Sequence, residues 1–327
     1  MECEWRLMGT AGLFGLLLPA LASSADVKVR AEIHSLGTVT LSAQQALLGG
    51  KNGKPAMVAG ELRIPTTPPS GRFPAVVLLH GGNGLTMSEE WWAQEFNSIG
   101  VAVFLLDSFT GRGVTPGDEQ AEMATLTMMV DGYRALGMLA RHARIDPGRI
   151  AVMGFSMGAA AALYAGNERF RRMYAPPDIQ FAAHIGLYTP CYWSFHDDDV
   201  VTSKPIRLFH GIADDWVPIG PCRAYVERLR KAGADITLTE YPDAYHGYDS
   251  LQQPEPKWLP QAISLRDCKL VESEHGVILE GNTGKSFDVT SDPCRRKGVH
   301  VGYNEAAATA TIKAVKEVLI AALRLKP

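Results

Sequence analysis

The sequence lacks a marked excess of either charge. Its 327 residues include 32 lysines and arginines against 35 aspartates and glutamates, which gives a net charge of −3. A surface of this balance has no strong attraction to the phosphates of nucleic acid or of anionic lipid. We therefore expect neither of these partners.

Spacings typical of metal-binding cysteines and histidines are also missing. The sequence contains no C-x-x-C and no H-x-x-x-H, and such spacings are characteristic of zinc sites. No internal repeat or low-complexity tract is visible either. The sequence therefore predicts neither a metal site nor a repeat architecture.

No apolar run reaches the roughly 20 residues that a membrane-spanning helix needs. The apolar stretch Met8–Ala22 follows Arg6 and ends in the small residues Ala20-Leu21-Ala22, a pattern typical of a secretory signal peptide. We predict a signal peptide over residues 1–22 and an exported mature protein, periplasmic or secreted, without stable membrane insertion. The alternative is a buried or anchoring N-terminal helix.

Cysteine is scarce, with five residues in the chain. Removal of a signal peptide would leave Cys191, Cys222, Cys268 and Cys294, and an even number in an oxidising compartment indicates two disulfides. Sequential pairing, Cys191–Cys222 and Cys268–Cys294, is preferred, and it closes loops for which the chain-entropy model gives about 3–4 kcal/mol each. Four cysteines nevertheless allow three pairings.

Strand-like and helix-like stretches alternate from Lys54 onward. The strand candidates are Met57–Ile64, Ala75–Leu79, Val101–Leu106, Ile150–Gly154, Phe181–Leu187, Ile206–Phe209 and Ile236–Glu240. The helix candidates are Ser88–Ile99, Asp118–Ala143, Met157–Tyr164, Pro221–Ala232 and Glu305–Leu325. Continuous aliphatic runs are typical of strands that are buried on both faces of a parallel sheet. The pattern predicts an α/β fold with a doubly wound, mostly parallel sheet and an antiparallel edge formed by Val27–Ile33 and Met57–Ile64.

The stretch from Asp249 to Val301 interrupts this alternation. It is polar and contains two of the cysteines, and Val277-Ile278-Leu279 and Ser286-Phe287 flank a Gly-Asn-Thr-Gly turn. Such a segment is typical of a small hairpin. We interpret residues from about 250 to 303 as a disulfide-tied insertion before the C-terminal helix, within a single domain that spans residues 23–327.

The segment Gly154-Phe155-Ser156-Met157-Gly158 lies between a strand candidate and a helix candidate. A sharp strand-to-helix turn of this kind requires small neighbours and presents the serine hydroxyl at the carboxyl edge of the sheet. Ser156 is therefore a candidate nucleophile. The alternative is a glycine-rich tight turn with an incidental serine.

A second glycine-rich segment, His80-Gly81-Gly82-Asn83-Gly84, follows the strand candidate that ends at Leu79. Glycines allow backbone amides to approach a negatively charged substrate oxygen. The candidate donors are the amide of Gly82 or Asn83, together with that of Met157. His80 is interpreted as structural, and the alternative for the whole segment is an ordinary turn.

Two later loops contain a carboxylate and an imidazole. Asp214 and Asp215 follow a strand candidate, and either of them could orient a histidine or cap the next helix. His246 follows the last strand candidate of the alternation and could accept a proton from Ser156. The order Ser, Asp, His along the chain is that of a large class of hydrolases.

These motifs resemble those of the dienelactone hydrolase family, within the α/β-hydrolases. The matching segments are Gly154–Gly158, Asp214–Pro218 with nearby Cys222, and Ala244–Gly247. The resemblance extends from about Pro55 to Asp249 and over the final helix. It implies an α/β-hydrolase fold, and the family's D-x-x-V-P pattern implies that Asp214 is the carboxylate that orients His246.

The sequence departs from this family at two places. The founding enzymes have a cysteine nucleophile where this chain has Ser156, and a glutamate in the segment that is His80-Gly81-Gly82 here. A small-molecule carboxylic ester or lactone is therefore the expected substrate class, in preference to dienelactone itself.

Two other residues are candidate substrate-binding groups. Arg112 follows a strand candidate and could hold a substrate carboxylate through two parallel hydrogen bonds; the alternative is an arginine that braces its loop. Tyr188 could line the acyl or leaving-group pocket, and its alternative is a place in the core.

The combined pattern predicts a serine hydrolase that uses Ser156, His246 and Asp214 and needs neither a metal nor an organic cofactor. One alternative is a non-catalytic binding protein on the same scaffold. Another, within the enzymes, is a peptidase or a polysaccharide deacetylase. The pattern makes no prediction of the oligomeric state.

Overall fold

A mixed eight-stranded sheet forms the centre of the computed structural model, which describes residues 27–66, 71–115 and 125–326. The strands of this sheet and of two smaller sheets are β1 Val29–Thr40, β2 Lys54–Pro65, β3 Phe73–Leu79, β4 Ala102–Asp107, β5 Ile145–Phe155, β6 His184–Leu187, β7 Trp193–Ser194, β8 Ile206–Gly211, β9 Ile236–Tyr241, β10 Lys257–Ser264, β11 Leu270–Glu272, β12 Ile278–Glu280, β13 Lys285–Ser286 and β14 Arg296–Val301. The helices are α1 Ala43–Leu47, α2 Met87–Ser98, α3 Thr125–Arg141, α4 Met157–Tyr164, α5 Glu168–Tyr174, α6 Ile219–Lys231 and α7 Glu305–Ala322, with a 3₁₀ turn at Thr110–Arg112.

The main sheet has the strand order β1-β2-β4-β3-β5-β6-β8-β9. The strands from β4 to β9 in this order pair in parallel, whereas β2 is antiparallel to both β1 and β4. This confirms the predicted α/β fold and its antiparallel edge. In a parallel sheet all strand ends of one kind lie at one edge, so the loops after β3, β5, β8 and β9 are neighbours.

Every residue of β3 is buried, because helices cover both faces of the sheet. Val76 and Leu78 pack in one core layer with residues of α2 and α7, whereas Val77 and Leu79 pack in the other layer with residues of α3, α4 and α6. This two-sided burial explains why β3 is an uninterrupted apolar run.

The region between β9 and α7 forms an antiparallel ribbon, β10 with β14, and contributes three strands to a small sheet of order β13-β12-β11-β7. The predicted hairpin is present, since β12 pairs antiparallel with β13. Disulfides join Cys191 to Cys222 and Cys268 to Cys294, which is the preferred sequential pairing. The second bridge lies within the insertion.

Several elements differ from the predictions. The ribbon strands β10 and β14 were not predicted, since a proline interrupts the apolar residues of β10 and two charged residues and a glycine begin β14. The short helices α1 and α5 were also missed; each spans too few residues for helical periodicity to be visible, and each is started by a side-chain cap, from Ser42 and Asn167.

Two predictions fall outside the described residues, namely the signal peptide at 1–22 and the beginning of the helix predicted from Asp118. Within the described ranges, no helix combines the length and apolarity needed to cross a membrane.

Candidate active site

Ser156 lies at the turn between β5 and α4. Its backbone has φ 49° and ψ −113°, a conformation that costs a non-glycine residue roughly 1–3 kcal/mol and persists only where the surroundings enforce it. A Cβ atom at Gly154 would overlap the carbonyl of Gly158, and one at Gly158 would overlap the carbonyl of Leu79. Both glycines are therefore required by the close approach of α4 to the sheet.

Two loops bring His246 and Asp214 to this turn. His246 Nε2 lies 3.0 Å from Ser156 Oγ, and His246 Nδ1 lies 2.8 Å from Asp214 Oδ2. A carboxylate can only accept hydrogen bonds, so Nδ1 donates to Asp214 and leaves Nε2 to accept the proton of the serine hydroxyl. The structure thus joins three residues that are 32 and 90 positions apart in the chain.

The Asp214 carboxylate is buried and ionised. Burial acts to raise its pKa, but the imidazoles of His246 and His210 outweigh this effect and hold the pKa below its ordinary value. The other oxygen, Oδ1, accepts the amides of Trp216 at 3.0 Å and Val217 at 2.8 Å. These two amides fix the direction in which the carboxylate faces His246.

The second aspartate of the pair has a different partner. The carboxylate of Asp215 accepts the backbone amide of His300 at 2.7 Å and its ring Nδ1 at 2.8 Å. The sequence motif alone did not decide which of Asp214 and Asp215 orients the histidine. In the structure, Asp214 is the aspartate that contacts His246.

The candidate oxyanion donors lie beside Ser156. Gly82, Asn83 and Met157 line the same cleft as the serine, and within the described part of the chain none of their three amides donates to a protein acceptor. Met157 is also the first residue of α4, and a helix N-terminus favours negative charge. Each of these amides therefore remains available to a substrate oxygen.

His80 anchors the glycine-rich loop. It is fully buried, its Nδ1 lies 2.7 Å from the carbonyl of Gly81, and its Nε2 accepts the amide of Ser108 at 3.1 Å. Burial lowers the pKa of His80, so the ring stays neutral. These contacts support its interpretation as a structural histidine.

The cleft above Ser156 has a volume of about 1410 Å³, which exceeds the roughly 300–1,000 Å³ of a typical small-molecule pocket. The ribbon and the small sheet form one wall. The lining includes the aromatic side chains of Phe155, Tyr188, Tyr192, Trp193, Trp216 and Phe287. Such a cleft can accommodate a substrate with an aromatic or extended apolar portion.

A model of one protein family, the dienelactone hydrolase family, matches residues 58–323. The chain belongs to this family. Membership confirms the resemblance predicted from the motifs, the α/β-hydrolase fold, and the assignment of the chain to a family of hydrolases that act on esters.

Known relatives agree with this placement. A bis(hydroxyethyl) terephthalate hydrolase from Streptomyces coelicolor is 31% identical over 160 residues, which cover 49% of this chain and 46% of that protein. The match therefore spans about half the length of this relative.

Solved structures share the fold at low identity. Esterase 2 of Thermogutta terrifontis is 17% identical with a TM-score of 0.57, over 91% of this chain and 96% of that chain. A dienelactone hydrolase-like promiscuous phosphotriesterase from metagenomic libraries is 16% identical with a TM-score of 0.52, over 88% of this chain and 97% of that chain.

Arg112 does not reach the cleft of this dienelactone hydrolase family member, so its predicted role in substrate binding is wrong. Its side chain is 3% exposed and pairs with both carboxylate oxygens of Asp131. The remaining donors bind the Thr40 hydroxyl and the carbonyls of Val39 and Ser108. All five guanidinium N–H groups are occupied, and Arg112 braces its loop against α3 and β1.

Tyr188 does line the cleft. The centroids of the Tyr188 and His246 rings are 4.7 Å apart, and the backbone of Tyr188 has φ 42°. It is 5% exposed, so most of its surface packs against other side chains, among them the imidazole of His246. A direct role of Tyr188 in substrate binding stays a prediction.

Sequence reasoning missed a buried acidic pair near the cleft. Asp249 accepts the indole N–H of Trp92 at 2.7 Å, and Glu89 accepts the amide and hydroxyl of Thr86 at 2.8 and 2.6 Å. Burial raises the pKa of both carboxyls. The Thr-x-x-Glu capping box at the start of α2 was the available signal for Glu89.

One group of described residues, Glu32, His34 and His142, has the side-chain types that could hold a metal ion. Glu32 Oε2 lies 3.2 Å from His34 Nε2 and 3.1 Å from His142 Nε2, and Arg30 Nε lies 2.9 Å from Oε1. None of these residues lines the cleft. The amide of Arg144 donates to His142 Nδ1, so the Nε2–H of that ring donates to the Glu32 carboxylate.

Proposed function

We propose that this chain hydrolyses a carboxylic ester or lactone through an acyl-enzyme at Ser156. The observation that carries the proposal is the continuous hydrogen-bond chain from Ser156 Oγ to His246 Nε2, and from His246 Nδ1 to Asp214 Oδ2. Ser156 lies at a strained strand-to-helix turn, which exposes its hydroxyl at the carboxyl edge of the sheet.

In the first half of the reaction, Ser156 Oγ attacks the ester carbonyl carbon and His246 Nε2 takes the hydroxyl proton. The negative oxygen of the tetrahedral intermediate accepts hydrogen bonds from the amide of Met157 and from that of Gly82 or Asn83. Collapse breaks the bond to the alcohol oxygen, which receives the proton from His246 and leaves. The Asp214 carboxylate stabilises the imidazolium while it exists.

In the second half, water attacks the acyl carbon and His246 takes a proton from it. Collapse of the second tetrahedral intermediate breaks the bond to Ser156, whose oxygen recovers the proton. The carboxylic acid departs. Both halves use the same groups, so no metal or organic cofactor is required by this mechanism.

For the substrate, we propose a small molecule, and an aromatic ester as the preferred class. The aromatic lining of the cleft supports this, because aromatic rings gain from offset or edge-to-face contacts with one another. The relationship to a bis(hydroxyethyl) terephthalate hydrolase points in the same direction.

The decisive experiment combines covalent labelling with a substrate panel. A fluorophosphonate probe should label Ser156 in the folded protein, and Ser156→Ala should lose labelling and about 10⁶ in kcat, as in characterised serine triads. Ser98→Ala changes an exposed serine on α2 and should behave as the wild type. An unlabelled Ser156 in folded protein would contradict the proposal.

The panel should compare short-chain aryl esters, an aromatic diester, a peptide and an acetylated polysaccharide. Turnover of the esters that is lost in Ser156→Ala would distinguish an esterase from a binding protein. Turnover of the peptide or the polysaccharide alone would favour a peptidase or a deacetylase.

We also propose that the mature protein is exported, to the periplasm or beyond the cell. The two disulfides support this, because such bridges persist in oxidising compartments.

A further inference from the structure

His300, near the end of β14, contacts the residue next to the proposed catalytic acid. Its backbone amide and its ring Nδ1 bind the two carboxylate oxygens of Asp215 at 2.7 and 2.8 Å. Asp215 directly follows Asp214, so a fixed Asp215 restricts the loop that carries the acid.

His300 also contacts Tyr245, the residue before the proposed catalytic base His246. The His300 ring lies 5.4 Å from the ring of Tyr245, which directly precedes His246, and 4.7 Å from the ring of Trp258 in β10. The next residue, Val301, forms a parallel β-bridge with His246 itself. Residues 300 and 301 therefore contact both loops.

Residues in β10 and just after it also bind the loop that contains Asp214. The indole N–H of Trp216 donates to the carbonyl of Ile263 at 2.9 Å, and the hydroxyl of Ser264 donates to the carbonyl of Trp216 at 2.6 Å. Arg266 donates to the carbonyls of Asp215 at 3.0 Å and Gly298 at 2.8 Å.

These contacts bear on the geometry of the proposed triad. The Asp214 carboxylate is directed by the amides of Trp216 and Val217, so a shift of this loop turns the carboxylate away from His246. His300 does not line the cleft, and its contacts are with the supports of the reacting groups.

We propose that His300 is a positioning residue, which holds the Asp214 loop and the His246 loop at a fixed separation and thereby sets the rate of the chemical step. This inference rests on the proposed function. Both partners of the Asp215–His300 pair are partly exposed, at 36% and 40% of the side chain. Solvent screens electrostatic attraction between groups of this exposure, so the role depends on the direction of the Nδ1–H bond.

The test compares His300→Ala with His300→Asn. The alanine variant loses the side-chain bond to Asp215, whereas the amide N–H of asparagine occupies a position similar to that of Nδ1–H. A misplacement of about 1 Å can cost on the order of 100-fold in rate. With an aryl ester, we expect kcat of His300→Ala to fall about 10- to 100-fold with KM changed less than about 3-fold, and His300→Asn to regain most of kcat.

Two further variants sharpen the test. Asp215→Ala removes both hydrogen bonds between Asp215 and His300 and should lower kcat at least as much as His300→Ala. The double variant should lose less than the product of the two single losses, because the two changes remove a shared interaction. The matched control is Arg223→Ala, which breaks the Arg223–Glu240 pair of similar exposure (49% and 31%) between α6 and β9. It should keep wild-type kcat and KM.

A second readout separates this inference from the proposed function. The His246 Nδ1 proton, bound to Asp214, should give a downfield NMR signal that is absent in His246→Ala, weakened in His300→Ala and restored in His300→Asn. An intact signal and wild-type kcat in folded His300→Ala would overturn the inference. A raised KM with unchanged kcat would also overturn it. Failure of wild-type turnover with the same NMR pattern would overturn only the proposed function.

Discussion

Asp249 is a carboxylic acid enclosed next to the candidate site. It is 1% exposed, and its carboxylate accepts the indole N–H of Trp92 at 2.7 Å. Burial raises its pKa above the ordinary 3.8, since low-dielectric surroundings penalise the charged form. The folded state therefore binds a proton more tightly at this position than the unfolded chain does.

This difference predicts a pH dependence of stability. The contribution of Asp249 is fully present below pH 3.8 and is lost as the pH rises through the higher folded-state pKa. Relative to Asp249→Asn, the wild-type free energy of unfolding should therefore fall as the pH rises above 3.8, by at most about 1.4 kcal/mol per pH unit.

Urea unfolding at several pH values would measure this slope. Asp199→Asn, which removes an exposed carboxylate, should show no such difference from the wild type. An equal slope for wild type and Asp249→Asn would show that Asp249 does not retain its proton on folding.

At the scale of elements, the contact between α4 and the sheet depends on two glycines. Gly158 packs directly on the backbone at the end of β3, where a Cβ atom would overlap a carbonyl. Backbone cannot move aside as a flexible side chain can. The strand-to-helix turn at Ser156 therefore depends on the packing of α4 against β3.

Substitution of Gly158 tests this contact. Gly158→Ala should destabilise the fold by about 1–3 kcal/mol through overpacking and should lower kcat by displacing Ser156. Gly220→Ala lies in helix α6 with open space around it and should instead stabilise by up to about 1 kcal/mol. Urea midpoints of the two variants would decide, and an unchanged midpoint for Gly158→Ala would contradict the packing argument.

The sequence predicted elements where the local pattern was sufficient. Helix α4 and the strand before it follow from an apolar run, a glycine-rich turn and an alanine-rich start, and the hairpin of β12 and β13 follows from its turn residues. Strands β10 and β14 could not be predicted, because a proline lies within β10, a glycine lies within β14, and their pairing joins residues about 40 positions apart, Lys257 with Val301 among them.

The same difference between local patterns and distant contacts explains which residues of the candidate site could be predicted. Ser156 and His246 were singled out because each follows a strand candidate in a recognisable motif. Arg112 has its partners 19 and 72 positions away, at Asp131 and Thr40, and no local pattern indicates them. The contacts of His300 with Asp215 and Tyr245 are equally non-local.

At the scale of the whole molecule, one disulfide ties the loop after β6 to helix α6, and the other closes a loop within the insertion. The Cys191–Cys222 bridge spans 31 positions and the Cys268–Cys294 bridge spans 26. Loops of this length give about 3–4 kcal/mol of stabilisation each in the chain-entropy model.

Export and oxidation can be tested on the full-length chain. Protein recovered from the periplasm or medium should begin at Ser23 and contain no free thiol, and reduction should lower its free energy of unfolding by about 3–4 kcal/mol per bridge. N-terminal sequencing, thiol titration and urea unfolding with and without reductant would measure these outcomes. A product that keeps Met1 and four free thiols beyond Cys3 would contradict export.

The ribbon of β10 and β14 has two roles in one element. It lines the cleft through Leu259, Ile263 and Val301, and it holds the loops on which Asp214 and His246 lie. In the proposed mechanism, substrate preference and turnover are therefore mechanically linked. We expect mutations that reshape the ribbon for a new ester to disturb the alignment of Asp214 and His246 as well, and to need compensating changes in the loops that the ribbon contacts.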